Sequence, residues 1–230
     1  MKVQILHLLE GAKKAEGLTV IIDVFRAFSL EAYIFAKGAK MIYPIGDLEE
    51  AFSLKRQHPD WILFGERGGA QVEGCDYGNS PSQIEDVDLS GRTIIHTTSA
   101  GTQGLVNAVG ASEIITGSLV NAQAIAEYIL KKNPEVVSIV PMGKSGLRPT
   151  MEDELCADYL KLLLEGRDFD IQKAADELRH NGGEQFFDAD NQEVFPERDF
   201  YLTTDCNIFH FVIRSEKNQN GKLVNTKVEF

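Results

Sequence analysis

Seven short apolar runs alternate with helical stretches from the start of the chain to Pro141, and this alternation restricts it to layered α/β architectures. The spacing predicts strands at Val3–Leu8, Thr19–Asp23, Met41–Pro44, Trp61–Phe64, Thr93–His96, Glu113–Thr116 and Val136–Pro141. Amphipathic segments between them predict helices at Ala27–Lys37, Asp47–Gln57, Thr102–Val109 and Asn121–Lys132. Val20-Ile21-Ile22 and Ile139-Val140 are apolar without alternation, as strands covered on both faces must be. Lys37-Gly38-Ala39 and Val109-Gly110-Ala111 each place a glycine for a left-handed helix cap before the next strand. The expected fold is an α/β/α sandwich with a largely parallel or mixed sheet.

Beyond residue 150 the pattern changes to two helices, Met151–Glu165 and Ile171–His180, joined by Gly166-Arg167-Asp168. Two strands, Phe209–Arg214 and Leu223–Phe230, then flank Asn220-Gly221, a strong hairpin signal. No linker composition separates the parts, so residues 1–230 read as one domain with a C-terminal α+β elaboration.

A net charge of −12 argues against nucleic acid as a partner, which requires a basic stripe. No apolar run reaches the roughly 18 residues of a membrane span, and no secretory leader is evident. Three scattered cysteines, Cys75, Cys156 and Cys206, suit neither a disulfide framework nor a zinc site, and a reducing cytoplasm is the expected compartment. In so acidic a chain, any anion site must be built from local cations.

The glycine-rich stretch Gly65–Pro81 follows the apolar run Trp61–Phe64 and leaves the end of a predicted strand. It mixes acids fit for a hard cation (Glu66, Asp76) with an anion donor (Arg67) and short polar tips (Asn79, Ser80). Other strand-to-helix connections add to it. Asp23 ends a buried strand, with Arg26 and Ser29 in the first turns that follow. Thr97-Thr98-Ser99-Ala100-Gly101-Thr102 presents hydroxyls and backbone N–H groups at a helix start. Ser118 and Asn121 repeat that arrangement after the next strand, where a capping role is the plainer reading. His96 reads as a packed strand residue. Arg148 lies in Gly143–Thr150, ahead of Glu152-Asp153-Glu154.

Helical spacing separates those three acids. Glu154, Asp158, Lys161 and Glu165 form a polar stripe, whereas Glu152 and Asp153 head apolar lines and point inward. Thr150-x-x-Asp153 also fits a capping box. The collected oxygen ligands are therefore Asp23, Glu66, Asp76, Glu152 and Asp153, a set that suits Mg²⁺. Arg26, Arg67 and Arg148 are the anion donors.

In these segments the chain resembles the 2-phosphosulfolactate phosphatase family. The carriers are Asp23-Val24-x-Arg26-Ala27, Gly65-Glu66-Arg67, Gly74-x-Asp76-x-Gly78-Asn79-Ser80-Pro81, Thr97-Thr98-x-x-Gly101-Thr102, Gly117-Ser118-x-x-Asn121-Ala122 and Glu152-Asp153. The resemblance implies a Mg²⁺-dependent acid phosphatase that converts (2R)-2-phospho-3-sulfolactate to 3-sulfolactate and phosphate, a step toward coenzyme M. Phe28 and Leu30 depart from the small hydroxyl residues expected there, and Cys75 replaces a larger apolar residue. Fold and reaction class thus transfer better than substrate.

The expectation is a phosphomonoesterase acting on a small anionic substrate. Asp23, Arg26, Glu66 and Arg67 form its catalytic group, and a homodimer is its expected assembly. The rival is a non-catalytic module that binds an organic anion on the same fold and needs no metal.

Overall fold

The computed structural model describes residues 1–230. Ten strands form one sheet in the order β1-β8-β2-β7-β9-β10-β3-β6-β4-β5. The strands are β1 (Lys2–Ile5), β2 (Gly17–Ile22), β3 (Met41–Pro44), β4 (Ile62–Arg67), β5 (Ala70–Gln71), β6 (Thr93–Thr97), β7 (Ala111–Gly117), β8 (Val136–Pro141), β9 (Val212–Lys217) and β10 (Leu223–Val228). The helices are α1 (Leu8–Lys14), α2 (Ala27–Ala36), α3 (Leu48–Gln57), α4 (Gly101–Asn107), α5 (Ala122–Lys132), α6 (Met151–Leu164), α7 (Ile171–Glu177) and α8 (Glu197–Thr204).

The α/β class agrees with the sequence, and β1-β8-β2-β7 and β3-β6-β4 are each parallel. The C-terminal strands are not an appendage. Hairpin β9–β10 stands between the two parallel blocks, antiparallel to β7 through Ile114–Thr116 and to β3 through Asn225–Ile42. The two blocks therefore run in opposite senses on either side of it.

The largest core cluster joins β2, β7 and β8 to α5, α6 and the C-terminal third, with Phe186, Phe200 and Val212 packed beside Val20, Ile115 and Ile139. Each fully buried side chain of this size contributes about 1.5–3 kcal/mol, so the final third is integral to the fold.

Some local expectations are corrected. The run predicted as strand to Leu8 ends at Ile5, because Leu8 opens α1, whose buried Gly11 and Ala12 follow helical spacing. Gly38 is left-handed (φ 87°), but Gly110 is not. At Gly110 the constraint is steric, since a Cβ there would lie 2.7 Å from the Ala15 carbonyl oxygen.

Candidate active site

Three buried carboxylates tie together loops at the ends of different strands. Asp23, just past β2, accepts the Gly101 N–H at 2.8 Å and the Ala27 N–H at 3.3 Å. Asp153, in the first turn of α6, accepts Val24 N–H at 2.8 Å and Gly143 N–H at 2.7 Å. Glu66, near the end of β4, accepts Ser99 N–H at 2.7 Å and Gly69 N–H at 2.8 Å. Glu152 is buried beside Asp153, while Glu154 is partly exposed and Asp158 exposed, as the helical spacing predicts.

Two backbone donors would ordinarily hold a carboxyl pKa down. At Asp23 burial wins, reinforced by the charges of Asp153 and Glu66, and the pKa is driven well up. Asp153 is raised by burial and then by Glu152. Glu152 is pushed up to about 7, chiefly by burial, with the charge of Asp23 adding to it. The site thus gathers carboxyls whose ionisation is opposed by burial and by one another.

The two arginines differ. Arg26 is buried and pairs with Asp199 at 2.7 Å, while its other terminal nitrogen donates to the Gly69 carbonyl at 2.8 Å. Its charge is therefore met within the protein, against the expectation that both arginines face a ligand. Arg67 is partly exposed and donates only to neutral acceptors: the Glu66 carbonyl at 2.6 Å, Gly46 carbonyl at 3.2 Å and Thr97 hydroxyl at 3.0 Å. No carboxylate pairs with it, so its charge is available to an incoming anion.

Other sequence candidates separate clearly. Ser99 and Gly101 lie at the acids through their N–H groups, and Thr98 and Thr102 hydrogen-bond to each other behind them. Asn79 meets buried His96, which also contacts Glu31 at 2.9 Å, and Ser80 meets Ser82. Ser29 and Ser118 bond to each other and are fully buried, while Asn121 accepts the Ser118 N–H and donates to the Phe211 carbonyl. All three are buried and hydrogen-bonded within the protein. Asp76 stands apart from the acid group, pairing with Lys55 and the Leu63 N–H, both at 2.8 Å. Arg148 is exposed in a turn. Thr150 forms no side-chain cap, and the Asp153 side chain, which a capping box would turn back to the Thr150 N–H, accepts from Val24 and Gly143 instead.

Sequence reasoning missed Asp199, which lies in a C-terminal stretch without a motif. Its only local signal is a position in the first turn of α8.

The donor chemistry around Asp23 is oxygen alone, and no three carboxylate, histidine or cysteine side chains converge into a protein cage. Mg²⁺ usually takes one or two carboxylates and completes its shell with water and substrate phosphate. Buried acids whose ionisation is opposed by burial and mutual repulsion fit that mode, since a cation would favour their charged forms.

An α/β sheet that gathers acids, an arginine without a carboxylate partner and a threonine-rich loop at its strand ends holds the kinds of group that phosphoryl chemistry uses. The family described as 2-phosphosulpholactate phosphatase matches residues 4–213, and the chain belongs to it. It is therefore a member of a family of phosphoric monoester hydrolases. It is 43% identical over 165 residues to a probable 2-phosphosulfolactate phosphatase of Carboxydothermus hydrogenoformans, covering 71% of this chain and 68% of that protein. A protein of the same description from Caldicellulosiruptor saccharolyticus is 40% identical over 148 residues, 63% of this chain and 61% of the relative. The Bacillus subtilis counterpart is 32% identical over 193 residues, 81% and 82% of the two chains. No helix is long and apolar enough to cross a membrane.

Proposed function

We propose that the chain hydrolyses phosphomonoesters of 2-hydroxy acids, with 2-phosphosulfolactate as its substrate and the reducing cytoplasm as its setting. The observation that carries this reading is Arg67, a cation without a carboxylate partner that directly follows Glu66, the acid whose charge reaches buried Asp23. A guanidinium held by neutral acceptors keeps its charge for a phosphate, sulfonate or carboxylate.

Mg²⁺ belongs to the proposal: Asp23 with one neighbouring acid, Glu152 or Asp153, would hold the ion together with water, and the ion would supply positive charge against the phosphoryl oxygens. The chain's own groups do the rest. Arg67 binds and orients the anion at the mouth, and Asp23 acts at the reacting phosphorus, by attack or by holding a water in line. Glu66 fixes the Ser99 and Gly69 backbone on either side of that position.

Phosphate release from 2-phosphosulfolactate, measured with Mg²⁺ and with EDTA, tests the reading. Metal-dependent turnover that Asp23→Asn abolishes is the expected result. Tight binding without phosphate release would instead favour an organic-anion-binding module.

A further inference from the structure

One carboxylate from the C-terminal third reaches three segments of the site. Asp199 is fully buried in the first turn of α8. Its Oδ2 accepts from Arg26 at 2.7 Å, and its Oδ1 accepts the Ser82 N–H at 2.9 Å. Through Arg26 it also reaches the Gly69 carbonyl, in the loop whose N–H is held by Glu66. The guanidinium is further enclosed by the Phe195 and Phe186 rings, 5.0 and 5.9 Å from their centroids.

Resting on the phosphatase reading above, we propose that Asp199 is a positioning residue of the active site. It fixes the connection after β2, the Gly68-Gly69 turn and the Asn79–Ser82 segment relative to one another. Each contact is directional, and each ends on backbone or on Arg26, two residues from Val24 and three from Asp23. Removing the charge while keeping the size leaves Arg26 buried without its counter-ion and releases the Gly68-Gly69 turn, which Glu66 also holds, and the segment that carries Asn79. The Phe195 ring adds a second restraint on the same turn, since a Cβ on Gly69 would lie 2.3 Å from its Cζ.

The test is Asp199→Asn in the full chain, read by steady-state phosphate release and by amide hydrogen exchange. The expected result is a fall of roughly 100-fold in both kcat and kcat/KM with KM little changed, the pattern of lost transition-state geometry. Exchange should quicken in peptides covering residues 66–72 and 78–84 while β7 and β8 keep their protection. Turnover within threefold of the parent with unchanged exchange in those peptides overturns the proposal. So does loosening spread evenly over β7 and β8 with normal kcat for the folded fraction, which makes the pair a stability element only. If the parent chain releases no phosphate, the phosphatase reading fails, and the exchange data still decide whether Asp199 holds the loops.

Discussion

At Asp23, stability and activity pull in opposite directions. Its carboxyl is buried, close to Asp153 and Glu66, and raised well above its ordinary pKa, so ionising it in the folded chain is unfavourable. Asp23→Asn removes that penalty while keeping a similar shape, but its NH2 group loses one of the two N–H contacts, from Gly101 or Ala27. The variant should lose turnover by several orders of magnitude yet melt close to the parent in EDTA, the two effects on stability opposing each other. Near-normal turnover would remove Asp23 from the mechanism. Arg67 makes a second case. With Arg26 neutralised by Asp199, Arg67 is the arginine beside Glu66 left to discriminate between acidic and neutral phosphomonoesters. A charge-assisted hydrogen bond contributes about 1.5–3 kcal/mol, so 2-phospholactate should exceed propyl phosphate roughly tenfold to hundredfold in kcat/KM. Arg67→Gln should erase most of that ratio; an unchanged ratio would place the second anionic group elsewhere. At Cys75, burial works against a thiolate nucleophile. Burial pushes the Cys75 thiol up to about 11, the thiolate is scarce at neutral pH, and Cys75→Ser should keep its turnover.

Between elements, the site depends on how closely α4 approaches the end of β2. A Cβ on Gly101 would lie 2.9 Å from Asp23 Oδ2 and 2.8 Å from a Phe28 ring carbon. Gly101→Ala should therefore displace Asp23 and lower kcat by about 10²-fold with circular dichroism unchanged. Parental kcat would show that the contact yields without consequence. This approach was legible in outline, since Thr97–Thr102 reads as a loop entering a helix near the strand ends. The inward turn of Glu152 and Asp153 was legible in detail, because helical periodicity assigns faces. What periodicity cannot give is which backbone group an inward acid meets. Asp153 fits a capping box locally, yet its oxygens go to Val24 and Gly143, contacts set by the packing of α6 on β2 and β8. Arg26 shows the same limit. Its partner lies 173 residues away in the chain, and a salt bridge of that span leaves no local pattern.

Over the whole molecule, the placement of β9–β10 is the feature that short-range patterning could not supply. Asn220-Gly221 announces a hairpin, but a hairpin signal carries no information on which strands flank it. Its position makes the fold depend on its last residues, because β10 alone links the block of β3, β6 and β4 to the hairpin. Protons couple to this fold through the acids it buries. Glu152 keeps its proton to about pH 7 in the folded chain, against an ordinary value of 4.5 when unfolded. Between those values the folded state binds more protons, so rising pH favours unfolding, by on the order of 3 kcal/mol across the window, and the loss levels off above pH 7. Burial shifts Asp23 and Asp153 in the same direction. In EDTA the melting temperature should fall from pH 5 to pH 7, and Glu152→Gln should flatten that fall. Mg²⁺ bound at these acids should reverse the trend, raising the melting temperature more at pH 7.5 than at pH 5. An equal shift at both pH values, or a Glu152→Gln profile parallel to the parent's, would separate the cation from these carboxyls.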